Sequence, residues 1–170
     1  MRTAICMTKT RTRTRPRTTP RRGVKPTLDV AIEHATLVRG PAERVFDAFA
    51  TAEGLDAWFT SGTSLEPHPG GAFTWRWKEW GPDRVTTTSR GEVVAIERPE
   101  RFVFLWESGN ETRTRVEISF EAVADGTVVR LRETGYADTP RGRRAFMNCA
   151  SGWGEALTLA KFYVEHEIRY

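Results

Sequence analysis

Three side chains in this sequence have the chemistry needed for acid–base catalysis. Glu133 follows Val129 and Leu131 at two-residue spacing, so in a strand all three side chains point to the same apolar face. Burial on such a face disfavours the charged form of a carboxylate, which is one way in which proteins prepare a general acid or base. Asp47 and Tyr136 are the other candidates. A structural hydrogen bond or salt bridge near a pocket rim is the favoured role for each of the three side chains, so no catalytic residue is assigned.

Metal and nucleophile chemistry find less support in the sequence. His34, His68 and His166 fall in three different predicted elements, and no cluster of histidine, cysteine and glutamate has ligand spacing. His34 is expected to be a satisfied or half-exposed strand side chain. Cys149 falls on the apolar stripe of a predicted helix, where cysteine ordinarily packs as a small hydrophobic residue. The sequence therefore predicts no metal site and no cofactor.

Aromatic residues are the most informative feature of the chain, which contains 6 tryptophans. Those predicted to face the space between a sheet and a helix form the candidate ligand-binding set: Trp75, Trp77, Phe104, Trp106 and Trp153. Aromatic walls with few polar groups are typical of a pocket for an apolar small molecule. The alternative is that the same rings simply fill the core. Trp153 is the strongest pocket candidate because Gly152 and Gly154 flank it and predict a kink or a close approach of helix to sheet.

The elements that must position these residues follow an α+β order. Alternation over residues 30–38 predicts a strand, and Pro41 begins an apolar helical stripe. Thr51 can cap a second short helix that ends near Phe59. About five or six antiparallel strands follow, separated by turn signals, before residues 140–167 predict one long helix. Only this helix is long enough to cover the sheet, so we expect an antiparallel sheet wrapped around it, with an internal pocket.

The positive charge of the chain belongs to its N-terminal segment. The 170 residues include 26 basic and 22 acidic ones, for a net charge of +4, yet residues 1–27 hold nine basic residues and no acidic one. The Thr/Arg-rich segment 1–27 therefore predicts a disordered tail, and residues 28–170 a single acidic domain. The tail could be a basic arm for nucleic acid or anionic membrane, a transit peptide, or a segment upstream of a true start near Val24. Nucleic acid is not expected as a partner unless this tail functions.

Composition also bears on the compartment. Mean hydropathy is −0.49, and no apolar run approaches the roughly 18 residues of a membrane-spanning helix. No segment has the pattern of a secretory signal. The two cysteines, Cys6 and Cys149, cannot form a disulfide framework and are expected to be free thiols. These features predict a cytoplasmic protein with no membrane partner.

Several short motifs follow one another between about residues 30 and 165. They are PAERVFDAF at 41–49, AWF at 57–59, GGAF at 70–73, GEV at 91–93, PERFVFLW at 99–106, GTVVRL at 126–131 and GW at 152–153. In this order and spacing the chain resembles the helix-grip fold of the START-like (SRPBCC) superfamily. Within it, the chain resembles the branch homologous to the C-terminal domain of the activator of heat-shock protein 90 ATPase. The resemblance implies an α+β domain with two short helices after the first strand and a long C-terminal helix.

Function follows less directly, because fold and site are separate arguments. The superfamily includes lipid carriers, hormone receptors, aromatic cyclases and chaperone cofactors, and the chaperone activator resembles two domains of which this chain has only the second. Our leading hypothesis is a small non-catalytic domain that binds a hydrophobic or aromatic small molecule between sheet and C-terminal helix. One alternative is a chaperone-cofactor or stress-response module with a protein partner. Another is a polyketide-cyclase-like or dehydratase enzyme that uses Glu133, Tyr136 or Asp47. Ligand identity and oligomeric state stay open.

Overall fold

The structure is a computed structural model and describes residues 26–109 and 112–170. The predictions for residues 1–27 lie outside the described residues, apart from Pro26 and Thr27. Three helices are present in the described ranges: α1 (Ala42–Ala50), α2 (Ala52–Trp58) and α3 (Pro140–His166). The strands are β1 (Ile32–Val38), β2 (Ser64–Leu65), β3 (Ala72–Trp80), β4 (Val85–Glu97), β5 (Arg101–Trp106), β6 (Thr114–Val123) and β7 (Gly126–Thr134).

The strands form one antiparallel sheet in the order β1-β7-β6-β5-β4-β3-β2. Successive hairpins join β3 to β7, and β1 pairs with β7 at one edge. The long helix α3 lies against β1, α1 and α2 and covers the inner face of the sheet. The predicted helix-grip architecture, with two short helices after the first strand, is confirmed.

Local sequence accounts for the helix boundaries. Pro41 precedes α1, whose buried stripe includes Val45, Phe46 and Phe49. The Thr51 hydroxyl accepts a hydrogen bond from the Gly54 amide at 3.0 Å, so Thr51 caps α2 as predicted. The same type of cap begins α3, where the Thr139 hydroxyl accepts from the Gly142 amide at 3.0 Å ahead of Pro140.

Strand alternation places one series of side chains inside the domain. On β7, Val129, Leu131 and Glu133 are all buried, while Arg130 and Arg132 between them are exposed. The paired strand β6 shows the same alternation, and its inner face meets that of β7 in register, with Val116 opposite Glu133. The outer face carries charged residues that pair across strands, such as Arg132 with Glu33 at 3.2 Å. Strand parity therefore predicted the side of the sheet on which Glu133 lies.

Glycines mark two places where the backbone and a ring come close. A Cβ on Gly91 would lie 2.2 Å from the Phe73 ring, so this ring packs directly over the backbone of β4. In α3 the helix continues through Gly152 and Gly154. The side chain of His34 lies there, with its Nε2 atom 3.0 Å from the Ala150 carbonyl oxygen. The predicted close approach of helix to sheet is thus present, and His34 is half-buried and partnered, as expected.

The described helices and Cys149 bear on the predictions about membrane spans and free thiols. In the described ranges, none of the helices is long and apolar enough to cross a membrane. Cys149 is fully buried and is disulfide-bonded, so the prediction of a free thiol is wrong at this position. Cys6 lies outside the described residues.

Candidate functional site

A fully buried carboxylate forms the polar centre of the domain. Glu133 has no solvent-exposed surface. Its Oε1 atom accepts a hydrogen bond from Trp106 Nε1 at 2.9 Å and another from the Thr114 hydroxyl at 2.6 Å. Its Oε2 atom accepts one from Trp153 Nε1 at 2.6 Å. Both oxygens are therefore held by protein donors, as a buried carboxylate requires.

Antiparallel pairing explains why these residues meet. Trp106 ends β5 and lies opposite Thr114, which begins β6, while Glu133 lies near the end of β7 and opposite Val116. Three hairpin-connected strands thus place their side chains at one end of the sheet, on its inner face. The helix α3 adds Trp153 from the other layer. The centre joins four elements, and three of its four members come from strands.

Tyr136 lies beside this centre, just after β7. It is 1 % exposed, and its hydroxyl lies near the Glu133 and Ser108 side chains but makes no hydrogen bond of good geometry among the described residues. Burial raises the pKa of the Tyr136 phenol far above its usual value, and the nearby Glu133 carboxylate raises this pKa further. The phenol therefore stays protonated and can act as a hydrogen-bond donor.

The predicted aromatic set lies on the inner face of the sheet and on α3. Each of its five side chains is at most 5 % exposed. The Trp75 ring packs edge-to-face against Phe104 at 5.1 Å and Trp106 at 5.5 Å between ring centroids. The indole N–H groups of Trp75 and Trp77 are buried and have no hydrogen-bond partner in the described part of the chain. These two indole N–H groups therefore have no described acceptor, whereas the indole N–H groups of Trp106 and Trp153 both donate to Glu133.

A small cavity of about 20 Å³ lies between the sheet and α3. The rings that line it are those of Phe59, Trp77, Trp80, Trp106 and Trp153. A space of about 10–15 Å³ accommodates one water molecule, so this cavity is far smaller than an aromatic ring. The alternative in which the rings fill the core therefore describes this conformation. Trp75 and Phe104 do not line the cavity; their rings pack against Trp106, which does.

Sequence reasoning missed two of the lining residues, Phe59 and Trp80. Alternation from Phe73 through Trp77 predicts that residue 79, and not residue 80, faces inward. A break in the β3–β4 register between Trp77 and Trp80, with Glu79 at φ 53°, turns Trp80 inward instead. Phe59 follows α2, where no periodic pattern assigns its direction; its ring lies 5.3 Å from that of Trp77.

The structure does not bring Asp47 to this centre. Asp47 lies on the outer side of α1, where its carboxylate accepts two hydrogen bonds of 2.8 Å from the Arg98 guanidinium. Its side chain is 41% exposed. The bonds from Arg98 lower the pKa of Asp47, in opposition to a smaller effect of burial. Asp47 therefore forms a surface ion pair, and of the three acid–base candidates only Glu133 and Tyr136 lie together.

The described residues, 26–109 and 112–170, contain no group of three histidine, cysteine, aspartate or glutamate side chains that could hold a metal ion. The polar groups at the centre are one carboxylate, hydroxyls and indole N–H groups. They can bind and orient a small polar group of an otherwise apolar molecule.

Comparison with known proteins agrees with this architecture. The family model described as "Activator of Hsp90 ATPase homolog 1-like protein" matches residues 39–165. No curated protein matches the chain. Protein SSP2350 from Staphylococcus saprophyticus is 26% identical with a TM-score of 0.66, over 83% of this chain and 96% of that chain.

Two further solved structures share the fold at lower identity. The Aha1 dimer from Colwellia psychrerythraea is 18% identical with a TM-score of 0.67, over 81% of this chain and 97% of that chain. DynU16, a protein of the dynemicin biosynthetic locus, is 18% identical with a TM-score of 0.69, over 84% of this chain and 51% of that chain.

Proposed function

The chain belongs to the family of Activator of Hsp90 ATPase homolog 1-like proteins, and we propose that it binds a small hydrophobic or aromatic molecule between the sheet and α3 without catalysing its conversion. The observation that carries this proposal is a pair of buried indole donors, Trp75 Nε1 and Trp77 Nε1, that have no hydrogen-bond partner in the described part of the chain. An unsatisfied buried donor costs about 1–3 kcal/mol. Native interiors rarely keep several such groups together unless something else binds them.

The surroundings of these groups favour an aromatic ligand. They lie among the rings of the inner face, and Trp77 also lines the small cavity. Apolar walls with a few fixed polar groups bind a molecule that is largely apolar and carries one or two polar atoms. The fold likeness to DynU16, a protein of a biosynthetic locus, is compatible with a small-molecule role.

A non-catalytic role is supported by the state of the acidic candidates. Both oxygens of Glu133 accept hydrogen bonds from the protein, and Asp47 is paired with Arg98 at the surface. Each carboxylate is thus already held by protein donors in this arrangement, as in a structural role. The polyketide-cyclase-like alternative requires that a substrate first release Glu133. A Glu133→Gln variant that binds a substrate without converting it would support that alternative.

Native mass spectrometry tests the proposal on protein isolated gently from its own host. We expect a discrete extra mass that disappears on denaturation. The Ala156→Trp variant adds an indole at the cavity wall and should lose this mass, because Ala156 lines the cavity and is buried. Ser151→Trp, at an exposed position of the same helix, is the matched control and should retain it. An extra mass that persists in Ala156→Trp would contradict binding at this site.

Family membership also supports a second candidate function, an interaction module of the chaperone-cofactor kind. This function predicts that the purified chain changes the ATPase rate of purified Hsp90, and that Ala156→Trp keeps the effect because the partner contacts the outer surface. An ATPase rate that the wild-type chain leaves unchanged would contradict direct stimulation.

A further inference from the structure

The position of Trp153 extends the proposed function and rests on it. We propose that the indole of Trp153 occupies the place of the ligand's ring, and that the ligand is a planar aromatic molecule with an O–H or N–H donor for Glu133 Oε2. Binding would displace the indole from between sheet and helix. The Trp153 indole and the ring of the ligand thus compete for the same position.

The surroundings of the Trp153 ring have the layout of an aromatic binding site. Its ring stacks on Phe59 at 6.2 Å between centroids and 22° between planes, and it lies 5.7 Å from the ring of Trp106. Its one polar atom donates a 2.6 Å hydrogen bond to Glu133. Two apolar walls and a single fixed acceptor are the elements by which pockets orient planar ligands.

The carboxylate does not depend on Trp153 for its position. Oε1 is held from the sheet by Trp106 and Thr114, and the Thr114 hydroxyl lies 3.1 Å from that of Ser108. Among the hydrogen bonds of the described residues, Oε2 accepts one, from Trp153 Nε1 on α3. If the indole leaves, one acceptor atom becomes available while the other keeps its two donors. Oε2 can then accept a hydrogen bond from a donor on the ligand in place of the indole N–H.

Space and flanking residues agree with displacement. The cavity of about 20 Å³ beside the indole cannot hold a second ring, so a ring-sized ligand must take the volume of an existing side chain. Trp153 is the lining residue with glycine on both sides, Gly152 and Gly154, and neither presents a side chain that restricts movement of the indole. Gly152 itself lines the cavity.

The Tyr136 hydroxyl narrows the chemistry of the ligand. It is buried beside the Glu133 carboxylate and the Ser108 side chain. A hydroxyl group on the ligand can donate to Glu133 Oε2 and accept from Tyr136, whereas an aromatic N–H can only donate. Phenol-type ligands should therefore bind more tightly than N–H aromatics of the same size.

The first experiment compares 2-naphthol with 2-methoxynaphthalene, which has the same ring system but no donor. In calorimetric titrations, Trp153→Ala should bind 2-naphthol at least about tenfold more tightly than it binds 2-methoxynaphthalene. Wild-type protein should bind 2-naphthol more weakly than Trp153→Ala, because the indole competes and lowers the fraction of protein that is open to ligand. Equal affinities of the two compounds for Trp153→Ala would overturn the donor requirement.

The double variant Trp153→Ala/Glu133→Gln identifies the acceptor. Trp106 Nε1 can only donate and therefore requires an acceptor at the Oε1 position, so the amide NH₂ group of Gln must occupy the Oε2 position and cannot accept. The preference for 2-naphthol should then disappear. A preference that survives in this variant would show that Glu133 does not bind the donor.

A second measurement uses the wild-type chain and does not depend on the stability of any variant. In protein labelled with 5-fluorotryptophan, the ¹⁹F resonance of Trp153 is assigned as the one absent from Trp153→Phe. Adding 2-naphthol should move this resonance to the position of a solvent-exposed indole. Binding of 2-naphthol with an unmoved Trp153 resonance would overturn displacement and leave the proposed function standing. Absence of binding of both naphthalenes to wild type and Trp153→Ala alike would instead contradict the proposed function itself.

Discussion

Trp153 Nε1 and Glu133 Oε2 lie 2.6 Å apart and link the long helix to the seventh strand through the interior of the domain. Both residues are buried, and the acceptor is a carboxylate that also receives two donors from the sheet. Hydrogen bonds to charged groups are stronger than neutral ones and demand defined geometry. This contact therefore fixes where α3 crosses the sheet and which ring fills the space between them.

Replacing Trp153 by Phe should separate the hydrogen bond from the ring. Trp153→Phe removes the donor to Glu133 and leaves Oε2 without its helix partner. Trp77→Phe makes the same change in volume at an N–H that has no hydrogen-bond partner among the described residues. We expect Trp153→Phe to lower the free energy of unfolding by about 1–3 kcal/mol more than Trp77→Phe. Urea unfolding of both variants measures the difference. Equal losses would show that the bond to Glu133 adds nothing to stability.

Glu133→Gln should destabilise the domain through a clash of donors. With its carbonyl oxygen facing Trp106 and Thr114, the amide NH₂ of Gln meets the N–H of Trp153, and neither donor is satisfied. The expected loss is about 2–3 kcal/mol in the free energy of unfolding. Glu121→Gln, at a side chain that is 64% exposed, is the matched control and should change it by less than about 0.5 kcal/mol.

The same substitution should matter less once Trp153 is gone. In Trp153→Ala the donor that opposes the amide is absent, so adding Glu133→Gln should cost clearly less than it does in the wild-type chain. A double-mutant cycle measured by urea unfolding gives the interaction energy between the two residues. Additive losses would indicate that Glu133 and Trp153 are energetically independent.

Tyr136→Phe should leave stability unchanged or raise it slightly. The hydroxyl is buried and makes no hydrogen bond of good geometry within residues 26–109 and 112–170, so its removal eliminates a polar group whose lost hydration is poorly replaced. We expect the midpoint of thermal unfolding to stay the same or to rise in protein purified free of bound molecules. A loss of more than about 1 kcal/mol would mean that the hydroxyl has a partner in solution.

The ion pair of Asp47 with Arg98 should give a small pH-dependent contribution. Because Arg98 lowers the pKa of Asp47 in the folded state, the contribution is complete above the unfolded-state pKa of about 3.9 and is lost as the pH falls through the lower folded-state value. The pair is largely solvent-exposed, so its effect should be below about 1 kcal/mol. The stability difference between wild type and Asp47→Asn should therefore be present at about pH 7 and vanish near about pH 2. A difference that does not vary with pH would exclude this ion pair as its source.

The sequence was most informative where a regular period repeats. The two-residue alternation of Val129, Leu131 and Glu133 predicted the inner face of β7, because a strand has only two faces. The same rule failed at Trp80, because an irregularity in β3 after Trp77 changes which residues face inward. Nothing in the amino-acid composition of β3 indicates this irregularity. Asp47 shows the limit for helices, where the sequence identified a short amphipathic helix and could not place the Arg98 that pairs with it.

The sequence by itself determined the order of elements, the inward series of each regular strand and the concentration of tryptophan on the inner faces, because these depend on local periodicity and on the hydrophobic effect. Only the tertiary structure decided that the space between sheet and helix shrinks to about 20 Å³, and that Trp153 bonds to Glu133. Those outcomes depend on how closely α3 approaches the sheet and on how bulky rings from separate elements interlock. Such packing is fixed by the volumes and directions of residues far apart in the chain, which no local pattern records.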